Sequence, residues 1–195
     1  MKKFILFSLT VLMLLSFFSC GLMQEEEEVI IDPTATPPET VEELYSYYNQ
    51  INRGMSREEV EKLFGEGEVK YDEDGVENFT SYKNEIKSAG VNVIYAYDDT
   101  VSAKILYYNK SADLVKFSSS FDENKISELS ENEPVAKAEQ LFGKSLEIGC
   151  IYSLNSPTGY SKILSWFNED GSNFQIHTNN ELIDQLVFSV SPDKR

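Results

Sequence analysis

Ile51-Asn-Arg-Gly54-Met55-Ser56-Arg57-Glu-Glu59-Val60-Glu-Lys-Leu63-Phe64-Gly65 reads as the end of one helix, a tight turn, a second helix and its stop. Ser56 with Glu59 three residues on is a capping box: the hydroxyl takes one unpaired helix amide, and the carboxylate reaches back to another. Met55 and Val60 form the matching hydrophobic staple. Val60, Leu63 and Phe64 give the second helix one apolar side, and Gly65 ends it. Upstream, Thr40 and Glu43 make a second box, and Val41, Leu44, Tyr45, Tyr48 and Ile51 recur at helical spacing. That spacing predicts a helix leading into the turn.

A fainter copy of the stretch lies at Leu129 to Gly143. Placing Leu63-Phe64-Gly65 on Leu141-Phe142-Gly143 puts Ile51 on Leu129, Glu61 on Glu139 and Gly54 on Asn132. Gly and Asn best tolerate a left-handed backbone, so a turn needing positive φ accepts either. Ser56 falls on Pro134, which suits an early helical position because its missing amide would be unpaired there anyway.

From Glu68 the apolar period changes to two. Strands are expected at Glu68 to Tyr71, Phe79 to Asn84, Val91 to Tyr97, Ala103 to Asn109 and Leu114 to Phe121. The second half predicts helices near Glu123 to Glu131 and Pro134 to Phe142, then strands near Ser145 to Leu154, Lys162 to Phe167, Phe174 to Thr178 and Gln185 to Ser191. Tyr95 to Ser120 aligns without gaps on Trp166 to Ser191, pairing Ile105 with Ile176 and Phe117 with Phe188. The expected fold is α+β: two tandem copies of helix-turn-helix followed by an antiparallel β-meander, with the helices packed on one sheet face. The copies span residues 40–121 and 122–195.

Met1-Lys2-Lys3 and the apolar run Phe4 to Phe18 have the length and charged head of a signal peptide, and Ser19-Cys20-Gly21 follows. A small residue, Cys and Gly in that order look like a bacterial lipoprotein signal over residues 1–19, with Cys20 lipidated and the protein held on the extracytoplasmic face of the cell membrane. Residues 20–39, with Glu25 to Glu28 and then Pro and Thr, read as an acidic tether without a core. The chain carries a net charge of −16. Losing residues 1–19 removes Lys2 and Lys3 and no acid, leaving 15 basic against 33 acidic residues, a balance of −18. That balance disfavours nucleic acid as a partner. With Cys20 lipidated, Cys150 has no disulfide partner, and its Ile148-Gly-Cys-Ile151 setting suits a small buried side chain.

Gly54-Met-Ser-Arg-Glu-Glu-Val60 with Leu63-Phe-Gly65, and Trp166-Phe-Asn-Glu-Asp-Gly171, resemble the β-lactamase inhibitory protein-like family over roughly residues 40–191. The Gly-Met-Ser-Arg motif is also similar to that of the small lipoproteins of outer-membrane β-barrel assembly. The resemblance implies two tandem units whose sheet surface, rich in aromatics, grips a partner protein, with Trp166 and its counterpart Tyr95 as contacts. The chain departs from the family's inhibitors. It lacks a disulfide within each copy, and it has Ser88-Ala-Gly90-Val91 where their hairpin presents an acid. Those departures remove the features that carry β-lactamase inhibition in the family, and what remains implied is binding through the sheet.

Alternation assigns Ile94, Ala96, Ile105, Val115, Phe117, Phe167, Ile176, Leu186 and Phe188 to the helix-covered face. Tyr95, Tyr97, Lys104, Leu106, Tyr108, Trp166, Gln175, His177 and Asn179 are assigned to the open face. Tyr95, Tyr97, Tyr108, Trp166 and His177 are the expected partner-binding residues, since Tyr and Trp give large contact area at small entropic cost. His177 is the one histidine and lacks companion ligands, which favours a surface or contact role over catalysis or metal binding. Asp72-Glu-Asp-Gly75 fails as a calcium loop, because Lys70 and Ser81 stand where acids are needed. Asp98-Asp99 and Glu169-Asp170 suit turns better than paired catalytic carboxylates. No phosphate loop, metal set or nucleophile motif is present, and no cofactor is expected. The favoured function is a non-enzymatic, lipid-anchored module binding a protein or peptide of the cell envelope. The alternatives are an envelope-assembly scaffold acting by tethering and, resting only on His177 and the acidic turns, an envelope hydrolase.

Overall fold

The computed structural model describes residues 37–85, 87–109 and 114–189. The expected signal, Cys20 and all but the last residues of the expected tether lie outside the described residues. Helix α1 (Val41–Gln50) is entered at Thr40, whose hydroxyl accepts from Glu43 N. Helix α2 (Arg57–Phe64) begins with the full capping box of Ser56 and Glu59 and stops at Gly65, φ 76°. Between them Gly54 takes φ 81°. Four strands follow: β1 (Glu68–Tyr71), β2 (Glu77–Lys83), β3 (Ala89–Tyr95) and β4 (Val101–Tyr108).

The chain then makes two 3-10 turns, Val115–Phe117 and Glu123–Glu128, before helix α3 (Val135–Phe142). Strands β5 (Leu146–Tyr152), β6 (Tyr160–Phe167), β7 (Asn173–Asn179) and β8 (Leu182–Ser189) complete it. All eight strands form one antiparallel sheet in chain order. The fold is therefore α+β, and the two sets of four strands share a sheet, joined where Ala103, Lys104 and Ile105 of β4 meet Ile151, Cys150 and Gly149 of β5.

Two expected elements are absent. Leu114 to Phe121 is not a fifth strand: the β4 edge it would need is taken by β5, and the segment turns instead toward α1, where Phe117 meets Tyr45 at 5.2 Å between ring centres. The helix expected at Glu123 to Glu131 is the 3-10 turn Glu123–Glu128. The gapless alignment of Tyr95 on Trp166 also fails, because Tyr95 ends the third strand and Trp166 lies in the sixth. Backbone bridges give a different correspondence. Ser56 bridges Thr100 just before β4, and Pro134 bridges Leu182 at the start of β8. Asn132, two residues before Pro134, takes a positive φ of 66°, as Gly54 takes 81° two residues before Ser56.

Two groups of buried side chains fill the space between helices and sheet. Leu44, Tyr48, Val60, Phe64, Val91 and Leu106 belong to one, and Ala138, Phe142, Trp166, Phe174 and Ile176 to the other. Arg57, the arginine of the Gly-Met-Ser-Arg motif, pins α2 to the sheet. Its guanidinium donates to Asp99 at 3.0 Å and Glu77 at 2.8 Å and lies 4.2 Å over the Tyr95 ring.

Candidate binding face

Contacts with the helices settle which way each strand faces. Thr80 meets Arg57 of α2, and the Tyr82 ring lies 5.3 Å from that of Phe64. Lys104 reaches the Tyr48 and Ile51 carbonyls at the end of α1, both at 3.0 Å. Trp166 and Phe174 lie against Phe142 of α3, at 5.8 and 5.5 Å. By alternation the residues between these turn to the opposite, bare face. Register then carries a row across six strands of that face: Asn92, Ile105, Gly149, Ile163, His177 and Gln185.

This reverses the expected parity in β3, β4 and β6. Tyr95 is on the helix face, its hydroxyl 2.9 Å from that of Tyr82, and burial pushes its pKa up. Trp166 is wholly buried there, stacked on Phe174, with Nε1 donating to the Gly143 carbonyl at 3.1 Å. Lys104 and Leu106 also lie on the helix face, whereas Ile94 and Ile105 lie on the bare one. Tyr108 shares the helix-face parity of Leu106 and is half-buried, edge-on to Phe167 at 5.6 Å. Tyr97 is fully exposed in the turn between β3 and β4. Of the five expected contacts, His177 is the one that sits on the bare face, half-buried between Ile163 and Gln185.

The residues that do occupy the face were hidden in the sequence. Tyr107 lies flat across Gly90, where an added Cβ would fall 2.3 Å from its hydroxyl oxygen. Ile163 covers Gly149 in the same way, with its Cδ1 3.1 Å from such a Cβ. A glycine opposite a large side chain is the signal that could have found both, once the register is known. Among the described residues, the positions of β3 to β7 and of the regular half of β8 that turn to this face include no Asp, Glu, Lys or Arg. They are Gly90, Asn92 and Ile94; Ala103, Ile105 and Tyr107; Leu146, Gly149 and Ile151; Ser161, Ile163, Ser165 and Phe167; Asn173, Gln175, His177 and Asn179; Gln185, Val187 and Ser189, of which Leu146, Ser165 and Phe167, the last expected on the helix-covered face, are wholly buried. Among the described residues, charges border this face at β1–β2, where Glu68 pairs with Lys83 at 2.6 Å and with Lys70, and at Asp184 in the register shift of β8.

The helix side is polar by contrast. A cleft of about 340 Å³ between α1 and α3 is lined by Tyr45, Asn49, Glu139, Glu147, Lys162 and Glu181. Its one lysine is already paired, since Glu147 accepts from Lys162 at 2.9 Å and also from the Tyr48 hydroxyl at 3.2 Å. Burial lowers the Lys104 pKa, with Glu147 3.6 Å away opposing it. Cys150 is buried opposite Lys104, and burial raises its thiol pKa. Among the described residues no cluster of three His, Cys, Asp or Glu could hold a metal, and no helix is long and apolar enough to cross a membrane.

No protein-family model and no curated protein matches the chain. Among solved structures it is similar to a Streptococcus mutans protein described as a candidate beta-lactamase inhibitor, with a TM-score of 0.52 and 13% identity. The match covers 77% of this chain and 98% of that one. At that identity the likeness is one of fold.

Proposed function

We propose that this chain is a non-catalytic binding module, lipid-anchored through Cys20 on the extracytoplasmic face of a bacterial cell membrane. It grips a protein or peptide of the cell envelope through the bare sheet face, which two tandem units, residues 40–121 and 122–195, build jointly. One observation carries the reading: among the described residues, the positions of β3 to β7 and of Gln185–Ser189 that turn to the bare face hold no formal charge, in a chain whose net charge is −16. Charged residues are depleted at the centre of protein interfaces and confined to their rims, which is the distribution seen from Ile105 and Ile163 out to Glu68, Lys70 and Lys83. The fold likeness to a protein described as acting on an enzyme fits the same reading.

The test is capture of partners from envelope extract by the full chain and by Ile105→Asp and Ile163→Asp. Each variant sets an unpaired carboxylate in the middle of the face. Capture should fall about tenfold or more, while the melting temperature changes by only a few degrees, since both side chains are already half-exposed. Capture unchanged in both variants overturns the proposal. Cys20→Ser should release the chain from the membrane fraction without altering capture by the solubilised protein.

A further inference from the structure

The two edges of the sheet are unlike. β1 is four residues long, its register shifts at Lys70/Tyr71, and Glu68 and Lys70 charge it. Shortness, irregularity and charge are the devices that stop an edge from pairing with another strand. β8 is twice as long, and its register shift falls near its start, at His177/Thr178 of the partner strand. Beyond Asp184 the run Gln185-Leu-Val-Phe-Ser189 is regular and uncharged.

Among the described residues, the outer side of β8 is occupied only where it begins. Asn132 N donates to the Ile183 carbonyl at 2.7 Å, and Ile183 N to that of Glu133 at 2.8 Å. Among the described residues, the backbone from Asp184 to Ser189 makes no hydrogen bond outside the β7–β8 ladder. In β4 the same arrangement is seen completed. Its start is held in the same way, with Gly54 N donating to the Val101 carbonyl at 3.2 Å and Val101 N to that of Met55 at 2.8 Å. Two residues further on, that edge receives an antiparallel strand: Ala103, Lys104 and Ile105 pair with β5. Setting Ile183 on Val101 makes Gln185, Leu186 and Val187 the equivalent receiving positions. In β4 they are filled. In β8 no described residue pairs with them, with Phe188 40% exposed beside them and half-buried Leu186 on the same helix-side face.

We propose that the Gln185–Ser189 edge of β8 takes up an extended strand of a partner protein or peptide. The incoming strand pairs antiparallel and places apolar side chains over Leu186 and Phe188. Main-chain bonds supply affinity in this mode and alternate side chains supply selectivity. The strand is neutral or basic, because a net charge of −16 attracts basic segments and opposes the approach of a second copy. The edge meets the bare face at Gln185 and Val187, but it binds through outward main-chain groups of β8 that the bare face does not use, so neither proposal depends on the other.

The probe is a synthetic peptide carrying the β5 sequence Leu146–Tyr152, with serine in place of Cys150 and two lysines at each end. Amide hydrogen exchange of the full-length chain in mild detergent is followed with and without it. At saturating peptide, exchange should slow about tenfold or more within Gln185–Ser189 and stay unchanged at β1. Val187→Pro and Val187→Lys should each weaken binding about tenfold with exchange in β1 to β6 unaltered, the lysine variant serving if proline disturbs β7. Ile163→Asp should bind the peptide normally. No slowing at Gln185–Ser189 at millimolar peptide overturns the proposal. Protection without peptide that grows with protein concentration overturns it in favour of a second copy, and protection confined to Asn92, Ile105 and Ile163 overturns it in favour of the bare face.

Discussion

Trp166→Ala separates a structural aromatic from a contact aromatic. The indole has no exposed surface, stacks on Phe174 at 5.7 Å and meets Phe142 edge-on at 5.8 Å. Truncating a buried Trp or Phe to Ala costs about 3–5 kcal/mol in lost transfer energy and residual cavity. The Gly143 carbonyl that accepts from Nε1 belongs to an exposed residue, so water replaces the indole there and adds little. The expected loss is about 4 kcal/mol, a large share of the roughly 5–15 kcal/mol that holds an ordinary domain together. At about 2–4 °C per kcal/mol for a chain of this size, the midpoint should drop by roughly 8–16 °C. Trp166→Phe keeps a ring in the site and should lose only about 1–2 kcal/mol. Urea titration followed by far-ultraviolet circular dichroism is the assay, because Trp166 is the one tryptophan and its removal takes the fluorescence signal with it. Below its midpoint the alanine variant should still capture partners. A loss under about 1 kcal/mol together with abolished capture would refute the burial argument and return Trp166 to the contact surface.

Lys104→Met removes two charge-assisted bonds to α1 carbonyls, worth about 1.5–3 kcal/mol each, and recovers much of the cost of burying an ammonium. The net loss should be about 2 kcal/mol, read by urea titration, with faster amide exchange in the last turn of α1. Asn132→Val places a β-branched residue at φ 66° and should cost about 1–2 kcal/mol, whereas Asn132→Gly should be close to neutral. Thermal melts of the two variants check this. Alkali should destabilise the protein earlier than its lysines predict. Burial pushes the Tyr82 hydroxyl up to about 12 and those of Tyr48 and Tyr95 higher still. The folded state therefore keeps protons that unfolded tyrosines release near pH ~10, and the stability this gives is complete below that pH and lost as pH climbs toward 12. Lys104, with a lowered pKa, works in the opposite sense, so Lys104→Met should steepen the decline in urea midpoint measured from pH 8 upward.

The helix-turn-helix was open to reading because its determinants are local. Ser56 and Glu59 cap within one turn, and Gly54 and Gly65 supply backbone conformations that few other residues take easily. Strand positions were also legible from period and turn residues. The facing of the strands was not. Val91, Val93 and Ile94 are apolar on both sides of β3, and Trp166 and Phe167 are both large, so alternation leaves the choice open. Lys104 looks like a solvent residue, and only the folded chain brings two helix-end carbonyls within its reach. A lysine read as outward then drags its neighbours Ile105 and Leu106 to the wrong faces. A pattern of period two can also slide by a whole strand and still match. That is why Tyr95 aligned with Trp166 and why Leu114 to Phe121 passed for a strand. Tyr107 went unnoticed because its partner Gly90 is seventeen residues away and meets it only through the β3–β4 register.

The three-residue seam between β4 and β5 has a kinetic meaning. Every other neighbouring pair of strands is closed by a short turn, whereas residues 109–145 must be looped out before this pair can meet. By polymer statistics that closure costs about 2 kcal/mol more than a five-residue turn. Each set of four strands can zip on its own with little ring to close, so the seam forms last during folding and parts first under load. Ile105, Gly149 and Ile163 of the proposed grip lie across it, and a bound partner would act as a rivet there, slowing the rate at which the two halves come apart.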